Sequence, residues 1–160
     1  MCILKVYSKS RSFKEFAEDS PIPVFSVHDA GEVRRTSTGE KWDENRISFD
    51  VSDREWDDLA GQIQDAIVFL ERHREALHQL LTTHEVSRAC LDFPFWSRLT
   101  GDVVNQNDYL PEELIARCGV LGLAIGMAAY RRDFFEDESH ENEAEQIAPP
   151  DAYAPGELGR

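Results

Sequence analysis

Apolar and polar residues alternate from the start of the chain. In CILKVYS (residues 2–8), Cys2, Leu4 and Val6 fall on one side and Ile3, Lys5 and Tyr7 on the other. A period of two sets successive side chains on opposite faces of a strand. The pattern returns in PVFSVHD (23–29), with Val24, Ser26 and His28 opposite Phe25 and Val27. It is cleanest in RISFDVS (46–52), where Ile47, Phe49 and Val51 oppose Arg46, Ser48 and Asp50, a half-buried strand with a wet side. SRACLDFPFWSRL predicts a fourth strand, with Cys90, Asp92, Pro94 and Trp96 on one face and Leu91, Phe93 and Phe95 on the other. Pro94 has no N–H to give a ladder, so it calls for an edge position or a bulge. AIGMAAYR, beginning at Ala124, predicts a fifth.

Between these runs the period changes to that of a helix. SRSFKEFAEDS places Phe13, Phe16 and Ala17 on one face, with Ser12 and Glu15 at capping-box spacing. Residues 52–84 predict one long helix opened by Ser52 or Asp53. Its stripe is Trp56, Leu59, Ile63, Ala66, Ile67, Leu70, Leu77 and Leu81. A last helix is expected over LPEELIARCGVLGL, with Asp108 as its cap, Pro111 in its first turn and Gly119 or Gly122 near its end. GDVVNQND reads as a polar loop with room for a short strand at its start. The resulting order, β-α-β-β-α-β and then α-β, predicts an α+β fold. We expect a ferredoxin-like βαββαβ core with an added αβ unit, its mostly antiparallel sheet covered by helices on one face. Residues 1–132 form one expected domain, and residues 133–160 an acidic, flexible C-terminal tail.

Charge narrows the partners. The net charge is −14, from 31 acids against 17 bases. The tail from Asp133 to Arg160 supplies −8 of it, leaving −6 on residues 1–132. An acidic body repels polyphosphate, so nucleic acid is disfavoured, while a basic protein partner is favoured by opposite fields. Cys2, Cys90 and Cys118 are an odd count without CxxC spacing, which suits a reducing compartment and predicts a cytoplasmic protein. No apolar run approaches the roughly 20 residues of a membrane span.

The stretch GEVRRTSTGEKWDENR (31–46) holds two adjacent arginines, two glycines, a lysine and a tryptophan. It is no Walker A loop, because Gly39 is followed by Glu40-Lys41-Trp42 and a strand comes next. Its four bases (34, 35, 41 and 46) balance four acids (32, 40, 43 and 44). Two readings stay open: a solvated connection between strands, or a contact site made by Arg34, Arg35, Lys41 and Trp42. The remaining candidates for binding are Asp50 and Asp92 on strand faces, Trp96, and Tyr109 in the amide-rich NQNDYLP segment. His73 and His78 are five apart, off the spacing that places two zinc ligands on one helical face, and no metal or cofactor is expected. No serine or cysteine nucleophile stands in a recognisable catalytic motif, and no catalytic residue is assigned.

The starting strand, the Gly/Arg/Trp-bearing connection, the Trp-opened helix and the closing LPEELIARCGVLGLAIGMAAY unit resemble a loose set of small bacterial α+β proteins known as a domain of unknown function. The resemblance covers residues 1–132, and some proteins of this size, charge and fold serve as immunity proteins against a toxin. It implies protein–protein binding of an immunity or antitoxin-like kind, with oligomeric state undecided and a homodimer open. The competing expectation is a small-ligand-binding domain or enzyme that uses the sheet face at Asp50, Asp92 and Trp96.

Overall fold

The computed structural model describes residues 1–99 and 102–131. The acidic tail lies outside the described residues. The described residues form a mixed α+β fold with four helices and a mostly antiparallel five-stranded sheet. The elements in order are β1 (Cys2–Ser8), α1 (Lys14–Glu18), β2 (Val24–His28), β3 (Val33–Arg35), β4 (Glu40–Lys41), β5 (Asn45–Ser52), α2 (Leu59–Arg72), α3 (Arg74–Thr83), β6 (Val86–Trp96), α4 (Glu112–Leu121) and β7 (Ala124–Tyr130). The main sheet runs β2-β5-β1-β6-β7, and β3 pairs with β4 as a separate two-stranded hairpin. β1 is antiparallel to both neighbours, and β6 and β7 form the one parallel pair of the sheet.

The alternation in the sequence decides which side of this sheet is the core. Cys2, Leu4 and Val6 of β1 join Ile47, Phe49, Val51, Leu91, Phe93 and Phe95 in one apolar cluster. The helices complete it with Leu59, Ile63, Ala66, Ile67, Leu70, Leu77, Leu80 and Leu114. Burying each large side chain of this set stabilises the fold by about 1.5–3 kcal/mol. Ile3 and Tyr7 are also buried but lie outside the cluster, on the opposite face.

Three expected helix features are corrected. The helix predicted over 52–84 is two helices: α2 begins at Leu59, and His73 separates it from α3. Ser52 ends β5 and its hydroxyl donates to Asp65, so the cap is Asp58, which accepts from Gly61 N–H at 2.9 Å. A Cβ at position 61 would collide with that carboxylate, so any other residue there would have to displace the capping side chain. At the break, His73 and Arg74 hold the two positions that would continue the apolar spacing between Leu70 and Leu77. α1 starts after Phe13, one residue later than a Ser12 cap would set it; the Ser12 hydroxyl still accepts from Lys14 N–H at 3.2 Å, and it donates to Asp29 at 2.6 Å. Asp108 does not cap α4; it holds Arg98 and Gln106, each at 2.6 Å. Gly122, at φ +67°, ends α4 in the left-handed conformation glycine allows.

Pro94 occupies a place where it costs little. β1 pairs with β6 only as far as Asp92, so the following residues have no strand on that side. There the segment before α2 and α2 itself take over: Trp96 N–H donates to Trp56 O at 3.0 Å, and Gln62 Nε2 of α2 donates to Pro94 O at 3.1 Å. No strand is present over residues 102–110.

Candidate functional site

The face of the sheet away from the core carries the polar residues of β1, β2, β5 and β6. Register places His28, Arg46, Tyr7 and Arg88 in one row across β2, β5, β1 and β6. The Arg88 guanidinium lies 3.8 Å from the Tyr7 ring centroid, and that of Arg46 lies 5.8 Å from it. Trp42 extends the row. Its ring stacks on His28 at 4.8 Å and 21°, and Arg34 and Arg46 each approach it to 5.0 Å. A guanidinium over an aromatic face is attracted by the ring quadrupole, by about 0.5–1 kcal/mol at an exposed site. Trp42 Nε1 is buried and has no hydrogen-bond acceptor among the described residues.

The 31–46 segment therefore folds back onto the sheet through Arg34 and Trp42. Its remaining two candidates do not join them, since Arg35 and Lys41 are exposed on the β3–β4 hairpin. Glu44 anchors the far end of the row, 3.3 Å from Arg88 Nε and 3.0 Å from Ser87 Oγ. Asp92 pairs with Lys5 Nζ, at 2.8 Å. Beside that pair, burial and then the Asp92 charge raise the Cys90 thiol pKa, so the sulfur is kept as a poor nucleophile. Gly126 closes over both residues, with space for a Cβ only 3.2 Å from Cys90 Sγ and 3.3 Å from Asp92 Oδ1.

At the other end of the face the character changes. Trp56 packs against Trp96 at 4.7 Å and against Tyr130 at 4.8 Å, and all three are half-buried. Asp50, Asp53, Glu55 and Asp57 are exposed on β5 and the segment leading to Trp56. One end of the face thus presents cations stacked on aromatic rings, and the other presents aromatic rings among carboxylates. Tyr109 belongs to neither end. It stands 84% exposed on the connection before α4, and no ring contact or hydrogen bond among the described residues joins it to Trp96.

Sequence reading set Asp50, Asp92 and Trp96 on one side of their strands and left the place of Trp42 open, and it did not single out Lys5, Tyr7, Arg46, Arg88, Trp56 and Tyr130 as members. The alternation had already put Arg46 beside Asp50, and Lys5 beside Tyr7. What it lacked was register, which sets those strands side by side. Trp56 was hidden by its assignment to a helical stripe. Among the described residues no three His, Cys, Asp or Glu side chains come together as metal ligands. No helix of the described residues is long and apolar enough to cross a membrane. No protein-family profile matches the chain, and neither a curated protein nor a solved structure matches it.

Proposed function

We propose that this chain works by binding another protein through the acidic and aromatic end of its open sheet face. The observation that carries the reading is the Trp56–Trp96–Tyr130 cluster set among exposed Asp50, Asp53, Glu55 and Asp57. Half-buried tryptophan and tyrosine are the residue types that dominate binding energy, and surrounding charge steers a complementary partner. The partner that fits is basic, and the most concrete version is an immunity or antitoxin-like protein that masks a basic toxin surface. The sheet order supports the finer fold reading that goes with it. Leaving aside the β3–β4 hairpin and the α4–β7 unit, β2-β5-β1-β6 is the arrangement of a ferredoxin-like core. Free Cys2, Cys90 and Cys118 support a reducing, cytoplasmic setting.

The enzyme or small-ligand reading of the same face has less behind it. Asp92 is engaged by Lys5. A cleft of about 180 Å³ lies on the helical side between Leu70, Arg74, Arg117 and Val120. It is below the roughly 300–1,000 Å³ of ligand pockets.

The test is binding calorimetry with the purified basic protein encoded beside this gene. Binding is expected to weaken by about 30-fold or more in Trp96→Ala. The exposed Asp50→Lys should slow association and reduce its salt dependence, while Val68→Ala on the helical side leaves binding unchanged. A neighbour that binds equally well to all three variants would sink the proposal, as would the absence of any binding basic neighbour.

A further inference from the structure

The two edges of the sheet are built differently. β2 has five residues, follows Pro23 and shifts register between Val24 and Ser26. Short length, proline and bulges are the devices by which edges avoid pairing with other chains. β7, the opposite edge among the described residues, has none of them. It runs seven residues, AIGMAAY, without a charge or a proline, in unbroken register with β6 from Ala124 to Tyr130.

Backbone direction shows which groups this edge offers. Tyr130 O accepts from Ser97 N–H at 2.7 Å, so Tyr130 turns its backbone groups toward the β6 side. Direction alternates along a strand, so Ile125, Met127 and Ala129 turn theirs outward. Met127 is 36% exposed, and Ala129 is exposed as well. The neighbouring flank of α4 carries one charge, Glu112 in its first turn, and is otherwise apolar. Arg117 reaches toward α2, where it pairs with Glu71. At 100° per residue, Ile115 and Gly119 both fall about 160° from Arg117 around the axis, on the flank turned away from α2. Ile115 is accordingly exposed.

We propose that two copies of this chain associate edge to edge through β7, antiparallel about a two-fold axis at Met127. Met127 then faces Met127 of the second copy, and Ile125 faces Ala129. Each such outward pair exchanges two hydrogen bonds, giving about six in all. The occupant is a second copy because the body is acidic: like charges repel two copies over most orientations, and β7, which carries no charge, is the edge where that repulsion is least. A two-fold contact of an uncharged strand with itself is self-complementary. The α4 flank is needed too, since a strand pair by itself buries less than the roughly 800 Å² per partner of a stable interface. Two five-stranded sheets joined this way make one of ten, with both recognition faces continuous. This goes beyond the proposed function and does not depend on it.

Sedimentation velocity on the full chain over about 1–200 μM decides the matter, since dimerisation follows mass action. The wild-type chain is expected to reach dimer mass within that range. Met127→Lys should raise the dimer dissociation constant at least about tenfold by placing two ammonium groups face to face. Ala129→Pro removes only an outward N–H, so it should have the same effect while the β6–β7 ladder and the circular dichroism spectrum are kept. If Met127→Lys fails to fold, Ala129→Pro decides alone. A wild-type chain that stays monomeric, or a dimer indifferent to the folded variants, overturns the proposal.

Discussion

Lys5 Nζ lies 2.8 Å from Asp92 Oδ2, although the residue opposite Lys5 on β6 is Cys90 and the one opposite Asp92 on β1 is Ile3. The bond is therefore diagonal across two strands, and its two ends differ in cover: the Lys5 side chain is 9% exposed and that of Asp92 23%. Removing the carboxylate leaves the more buried charge behind, and desolvated charge is the expensive kind. Asp92→Ala is expected to cost about 2–3 kcal/mol and Lys5→Met about 1 kcal/mol. Urea unfolding with unchanged m-values would verify the ranking; equal losses would show that both ends are equally solvated.

Trp42 is the residue through which the 31–46 segment is fixed to the sheet. Trp42→Ala removes the His28 stack and both guanidinium contacts, and we expect a loss of about 1.5–3 kcal/mol. Arg35→Ala and Lys41→Ala, on the exposed hairpin, should stay within about 0.5 kcal/mol of wild type. Thermal unfolding of the three variants side by side tests this contrast, and a costly Lys41→Ala would contradict it.

His84 couples the fold to pH. Its ring stacks on Phe13 at 5.7 Å and meets the edge of Phe16 at 5.4 Å. Burial, and after it the Arg11 charge, holds its pKa below the ordinary 6.5; His73 is lowered by burial and then by Arg72. Near that pH the unfolded chain binds more protons than the folded one, so stability rises with pH. The contribution is complete above 6.5 and is lost as pH falls through 6.5 toward the lowered folded value. Melting temperature should therefore decline between about pH 7 and 5, and less steeply in His84→Leu. The Asp29 and Glu32 carboxylates, held low by their hydrogen bonds to Lys14, act in a separate window. Their contribution is present above 3.8 and 4.5 and is lost as pH falls through their lowered values. An identical slope in wild type and His84→Leu would remove His84 from the explanation.

The cysteines should be chemically quiet in the native state. Burial pushes the Cys118 thiol up to about 11, and burial and then Asp92 raise Cys2 well above its usual range. Thiolate is the reactive form, so alkylation of Cys118 at pH 8 should run on the order of a hundredfold slower than that of a free thiol. Peptide mass spectrometry after timed iodoacetamide treatment reads each site separately. Rapid native labelling of Cys118 would show that its surroundings open.

By itself the sequence determined the five strands of the main sheet and, for β1, β5 and β6, the side each turns to the core. It did not show the β3–β4 hairpin, nor the bulge in β2 that turns both Val24 and Val27 to the core and leaves Phe25 exposed. The alternation at 2–8, 46–52 and 86–96 survives because a buried face tolerates no one-residue slip, so the pattern of Leu4, Phe49 and Leu91 is a local record of a global constraint. Its helical period likewise marked Leu59 to Leu77 as one buried stripe, yet could not show that the chain turns at His73 or that Asp58 rather than Ser52 caps α2. Caps and breaks are settled by whichever hydroxyl or carboxylate the packed neighbours leave available, as when Asp65 takes up Ser52.

The candidate site was legible only as separate residues. Trp42 and Trp96 could be named from the sequence, but pairing order decided their company: β1 lies between β5 and β6, which brings Tyr7 between Arg46 and Arg88, and the end of the β1 ladder leaves room for Trp56 against Trp96. Contacts between residues 39 positions apart (Tyr7 and Arg46) or 40 (Trp56 and Trp96) leave no periodic trace in the chain, because periodicity reports the environment of one element and not the identity of its neighbour. The tertiary structure alone supplied that identity, and with it the division of one sheet face into a cationic end and an acidic, aromatic one.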